Sequence, residues 1–83
     1  MIYFLKMHAE NRPIKIGYTK NIERRMKELQ AATPFELELV AVLDGGLYLE
    51  RELHERFSEC RCHMGSEWFE PKRKLLDFVE QCK

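Results

Sequence analysis

Glycine, proline and cysteine are scarce in this 83-residue chain, at four, three and three residues, and net charge is absent. So little glycine and proline excludes collagen-like and low-complexity architectures. With no secretory signal to be read in the sequence, the three cysteines are expected to be reduced thiols rather than a disulfide framework. No apolar run approaches the roughly 18–20 residues that would span a bilayer, so no membrane association is expected. Lys6, His8 and Glu10 interrupt the first apolar run before it can serve as a signal peptide. These absences together lead us to expect a cytoplasmic protein. Fourteen Lys/Arg balance fourteen Asp/Glu, which argues against a protein that coats nucleic acid without selection.

What is present suits a folded chain. Hydrophobic residues make up 45% and charged residues 34%, enough for one core over residues 1–83 and too little for a second. The charge is unevenly spread. Residues 1–34 hold seven Lys/Arg against three Asp/Glu, a net of +4, while residues 35–83 hold seven against eleven, a net of −4. Such a division arises by chance on a solvated surface, and it also suits a site that meets phosphate on one side and a cation on the other.

The patterning predicts an α+β chain, a small three-stranded antiparallel sheet flanked by helices in the order β-β-α-β-α-α. Met1 to Met7 reads as a buried first strand and Ile14 to Tyr18 as a second, joined through the polar turn Ala9–Pro13. Thr19 or Asn21 caps a helix that runs to about Ala32 and stops at Thr33-Pro34. Leu37, Leu39, Ala41 and Leu43 alternate with Glu36, Glu38, Val40 and Val42, giving a third strand that ends at Asp44-Gly45-Gly46. A helix from about Leu47 to Glu59 follows, and a last helix starts near Pro71. Trp68 and Phe69 belong to no element. They are expected to plug the space between the last helix and the sheet beside Phe57, the alternative being an exposed base-stacking platform.

Polar residues interrupt two of the apolar stripes. Helical spacing places Leu47, Leu53 and Phe57 on one face, with Glu50 in its middle and His54 beside it. An inward carboxylate is costly unless it is paired, hydrogen-bonded or bound to a metal. A salt bridge to Arg25 satisfies it structurally, and a catalytic or metal-binding role satisfies it functionally. Arg25 lies at the edge of the Ile22–Met26–Leu29 stripe. It either lays its stem on the core or offers its fork to phosphate. Tyr3 sits in the first strand, and Gly17 sits inside the second, where glycine marks close approach of a ligand or of other protein atoms.

In this order and spacing, the residues resemble the GIY-YIG nuclease superfamily. Met1-Ile2-Tyr3 stands at the first signature element and Lys15-Ile16-Gly17 at the second. Arg25 follows Gly17 by eight residues, and Glu50 falls on the later helix. The wording of Lys15–Thr19, Leu49–His54 and Glu67–Phe69 is most similar to the small T5orf172 and Mug113-like branch. Lys15 replaces the family's second tyrosine, Leu29 stands where a histidine is frequent, and the late asparagine has no counterpart. The resemblance implies an endonuclease that hydrolyses phosphodiesters with Mg²⁺ (or Mn²⁺) bound by Glu50. Tyr3, with Lys15 favouring its phenolate, would take a proton from the attacking water, and Arg25 would stabilise charge on phosphorus. Gly17, Tyr18, Lys20 and His54 complete an implied substrate-binding set.

The implied partner is nucleic acid, DNA ahead of RNA. A homodimer or partner protein would supply the specificity that this short chain lacks. Two other readings stand beside it. One is a catalytically degenerate binding module of the same fold, for nucleic acid or protein. The other is a small metal-stabilised domain built on Cys60, Cys62, His63 and Cys82, whose cysteine spacing is unusual for zinc.

Overall fold

The computed structural model describes residues 1–62 and 67–83. The apolar run Ile2–Met7 forms β1, and its burial on both faces explains why it does not alternate. It lies inside a four-stranded antiparallel sheet of order β3-β1-β2-β4, where β2 is Ile14–Tyr18, β3 is Leu37–Leu43 and β4 is Trp68–Phe69. Three helices complete the chain, α1 (Ile22–Ala31), α2 (Leu47–Arg56) and α3 (Arg73–Gln81). Among the described residues no helix is long and apolar enough to cross a membrane.

The α+β class and the first three strands match the sequence reading, but the strand count does not. Trp68 and Phe69, expected to lie outside any element, pair with Lys15 and Ile14 as a fourth strand. Two residues are too short to register as a hydrophobic period, so only the neighbouring strand edge reveals them. The element order is therefore β-β-α-β-α-β-α, with a 3₁₀ turn at Ser58–Cys60 closing the second helix earlier than Glu59. Gly65-Ser66, which the sequence suggests as a turn before Trp68, lies outside the described residues.

Strand pleating divides the core into two layers. Ile2, Phe4, Ile14 and Ile16 face α2 and α3, where they pack with Leu53, Phe57, Phe69, Leu75 and Val79. Tyr3, Leu5 and Met7 face α1 and meet Leu37, Ile22, Met26 and Leu29. Phe69 thus fills the space beside Phe57 as expected. Trp68, one residue earlier on the strand, necessarily points to the opposite layer and packs there with the Tyr3 cluster. The simple alternation expected in β3 also fails. The β1–β3 register shifts between Phe4 and Leu5, where the pairing steps from Ala41 to Leu39. This bulge at Val40 sends Leu37 to the α1 layer and Ala41 to the other.

The α1 N-terminus is built locally. Thr19 Oγ1 accepts the Asn21 N–H at 3.1 Å, and Asn21 Oδ1 accepts the Arg24 N–H at 3.1 Å, so Asn21 is the cap. On α2 the buried stripe is Leu49, Leu53 and Phe57, one turn apart, while Leu47 is 63% exposed. The phase expected from Leu47 is wrong because the helix turns Leu49 inward instead. Glu50 consequently sits at the rim of the buried stripe, half-buried, and not in its middle.

Candidate active site

Tyr3 and Gly17 are directly opposite in the β1–β2 register. The Tyr3 ring lies across Gly17 so closely that a Cβ at residue 17 would stand 2.8 Å from ring Cε2 and nearer still to Cζ and Oη. Glycine is required here by close approach of a side chain and not by its backbone freedom. The absent side chain lets the Tyr3 hydroxyl cross the second strand while the ring stays almost wholly buried.

Arg25 comes to this hydroxyl from α1. Its Nε donates to Tyr3 Oη at 3.4 Å, while its Nη1 reaches Glu28 Oε1 at 3.3 Å. The core edge of α1 thus carries the guanidinium to the sheet, and Arg25 pairs with Glu28. Glu50 is not its partner. Among the described residues Glu50 has no ion pair. It is still near enough for its charge to act on the Tyr3 phenol.

The charges of Glu67 and Glu50 both act on the phenol, and β4 pairs with β2 at Ile14 and Lys15, short of that strand's far end. There the Ile16 N–H donates to the Glu67 carbonyl at 3.0 Å, and His54 Nε2 donates to the Ile16 carbonyl at 2.8 Å. His54 also meets Phe69 edge-on, with ring centres 5.3 Å apart. This histidine staples α2 to β2 and so holds Glu50, one turn earlier, beside the end of the strand.

Lys15 is 7% exposed and shares the α1-facing side of β2 with Gly17. Its ammonium lies 3.3 Å from Glu67 Oε1 and 5.5 Å from the centre of the Trp68 ring. That double engagement ties it to β4. Tyr18 points into the other layer, and its backbone neighbourhood with Thr19, Lys20 and Asn21 forms one wall of a cleft of about 300 Å³ shared with Arg24 and Arg25. The fold therefore brings Tyr3, Gly17 and Arg25 into contact and Glu50 into electrostatic reach. It directs the Lys15 ammonium to Glu67 and the His54 Nε2 to the backbone.

The electrostatics oppose one another at Tyr3. Burial pushes its phenol above the ordinary value, the Arg25 hydrogen bond and charge pull it down, and Glu67 and Glu50 push it up again. Burial wins, so the phenol keeps its proton at neutral pH. Arg25 is raised in turn, chiefly by its bond to Tyr3. Glu67 was missed as a site residue in the sequence. Its signal was an acid immediately before two aromatic residues, which acquires meaning only once β4 lies against Lys15.

Cys60 is wholly buried among Phe57 and Phe69 and serves as a small apolar residue, while Cys82 packs at the edge of the same layer. His63, the fourth member of the suggested zinc set, lies outside the described residues. Among the described residues no three of His, Cys, Asp and Glu gather into a metal-binding group. The Glu50 carboxylate, free of ion pairs among the described residues, still fits a hard divalent cation whose remaining oxygen ligands are water and phosphate.

Comparison with known proteins supplies one match. No curated protein and no solved structure matches the chain. The T5orf172 domain profile matches it over residues 1–83, so the chain belongs to the T5orf172 domain family, a relative of the GIY-YIG nucleases.

Proposed function

We propose that the protein is a divalent-metal-dependent endonuclease that hydrolyses phosphodiester bonds in nucleic acid. One observation carries the reading. The Tyr3 hydroxyl is passed over Gly17 onto the Arg25 guanidinium, with Glu50, which has no ion pair among the described residues, in electrostatic reach. A structural tyrosine needs neither a glycine cut away beneath its ring nor an arginine brought across from another element.

In this proposal Arg25 binds a non-bridging oxygen of the scissile phosphate and stabilises the charge that builds there as water attacks. Its Nε bond to Tyr3 orients the phenol towards the same phosphate. Tyr3 acts from its phenolate form, its own proton having gone to bulk solvent, and takes the proton of the attacking water, and Arg25 favours that phenolate. Glu50 holds Mg²⁺ or Mn²⁺, which when bound supplies Lewis-acid polarisation of the phosphate and charge neutralisation of the leaving oxygen. Lys15 fixes the Glu67–Trp68 corner beside the phenol, and its paired ammonium contributes positive potential and not proton transfer. His54 acts by seating α2.

The test is incubation with end-labelled single- and double-stranded DNA and RNA, with Mg²⁺, Mn²⁺ or EDTA. Metal-dependent cleavage lost in Tyr3→Phe, Arg25→Ala and Glu50→Gln supports the proposal. Cleavage that survives Tyr3→Phe and Glu50→Gln removes it. A second reading, a non-cleaving binding module of the same fold, is favoured by two observations. Lys15 is tied to Glu67 and Trp68, and the phenol is held protonated. Binding of the same probes without cleavage under any of the metals selects it.

A further inference from the structure

Glu28 sits between Arg24 and Arg25 on α1. Its Oε1 is 3.3 Å from Arg25 Nη1 and its Oε2 is 3.6 Å from Arg24 Nε, so one exposed carboxylate bridges two guanidinium groups. All three side chains line the cleft of about 300 Å³ that the Tyr18–Asn21 segment closes on its other side. Lys20 lines it too and, among the described residues, has no carboxylate within ion-pair distance. Three cations therefore surround one acid, and the cleft keeps an excess of positive charge with Glu28 in place. Its volume is at the small end of ligand sites, enough for a backbone phosphate and its sugar.

We propose that this cleft is a second phosphate subsite, seating the backbone phosphate next to the scissile one, and that Glu28 is a built-in competitor which the nucleic acid displaces. The proposal rests on the nucleic-acid reading above and adds to it. Arg25 joins the two subsites, because the same guanidinium that bonds Tyr3 through Nε faces the cleft through Nη1. A phosphodiester entering the cleft accepts from Arg24 and Lys20, and from the Arg25 nitrogen that Glu28 releases. Displacement frees Arg25 from its lateral tether, so engagement of the neighbouring phosphate and readiness of the catalytic arginine are one event. The device favours polynucleotides over isolated phosphodiesters, since only a continuous backbone fills both positions. It also sets a salt dependence, because mobile ions and Glu28 compete for the same cations.

The experiment measures binding without cleavage. Fluorescein-labelled DNA and RNA oligonucleotides are titrated in EDTA over a range of salt, with fluorescence polarisation as the readout. The variants are Glu28→Gln, Arg24→Ala, Lys20→Ala and, as a control for charge alone, Glu23→Gln. Glu23 lies in the first turn of the same helix, is exposed, and has no ion pair among the described residues. Glu28→Gln is expected to bind about fivefold tighter than wild type, the change associated with one exposed charge pair. It should also show a steeper salt slope, by on the order of one released counterion. Arg24→Ala and Lys20→Ala should weaken binding, and Glu23→Gln should leave it within about twofold.

Glu28→Gln binding no tighter than Glu23→Gln overturns the proposal, as does a wild type that binds no oligonucleotide at low salt. Parallel digestion with Mg²⁺ separates the two ideas. A wild type that cuts nothing, with Glu28→Gln still the tighter binder, removes the nuclease and upholds the subsite. A wild type that cuts, with Glu28→Gln indistinguishable from the control, does the reverse.

Discussion

The two faces of the sheet are built from opposite materials. Towards α2 and α3 every strand residue in the buried layer is apolar, and aromatic rings lock it, with Phe57 and Phe78 centred 5.4 Å apart and Phe4 and Phe78 6.1 Å apart. Towards α1 the layer is smaller and holds a phenol, a nearly buried ammonium and a guanidinium edge. The first face keeps its polar side chains, such as Tyr18 and His54, only partly buried and owes its strength to burial and close packing. The second keeps polar groups partly desolvated, which costs stability and strengthens any electrostatic work done there. The apolar face supplies most of the stability, while the candidate site gathers at the other face and draws Glu50 to it from α2.

Mutations on the two faces should therefore differ in kind. The largest loss of stability belongs to the apolar face, where Phe57→Ala should cost about 3–5 kcal/mol by cavity formation. A chemical-denaturation series measures it, and a loss below about 1 kcal/mol would break the contrast. Gly17→Ala comes next. The added methyl must displace the Tyr3 ring, at about 1–3 kcal/mol for an overpacked site, and should disturb activity more than its stability cost suggests. In a Tyr3→Ala background the same glycine substitution should cost little further stability, which marks the clash with the ring as the cause.

Glu50→Gln should have the smallest effect on stability, within about ±0.5 kcal/mol, because Glu50 has no ion pair among the described residues. In the proposed mechanism it abolishes metal-dependent cleavage. A melt lowered by several degrees in an inactive wild type would instead make Glu50 a structural residue. The same variant sharpens the electrostatic account. Glu50 opposes ionisation of Tyr3, so Glu50→Gln should lower the Tyr3 titration midpoint. Tyrosinate absorbance reads this in a background lacking Tyr18 and Tyr48.

Alkaline stability follows with a definite sign. Burial holds the Tyr3 phenol above its ordinary 10.0, so the folded protein binds that proton more tightly than the unfolded chain. Its contribution is complete below pH 10 and declines as pH rises beyond it. Thermal melts through this range should fall less steeply for Tyr3→Phe than for wild type.

Much of this molecule was written locally in its sequence. The strands at Ile2–Met7 and Ile14–Tyr18, a helix cap at Thr19 or Asn21 and the stop at Thr33-Pro34 follow from side-chain period, a capping oxygen and the steric limits of proline. The order of Tyr3, Gly17, Arg25 and Glu50 was equally legible, because spacing along a chain survives without coordinates. Tertiary structure decided the rest. A two-residue strand exists only because β2 offers it an open edge, and the Val40 bulge changes the phase of β3 through pairing with β1. The partners of the charged groups were also beyond reach. Lys15 turns to Glu67 and Arg25 to Glu28, while Glu50 has no ion pair among the described residues. Periodicity assigns a residue to a face. Which opposite charge meets it depends on how distant segments pack, and that information is carried by the fold as a whole.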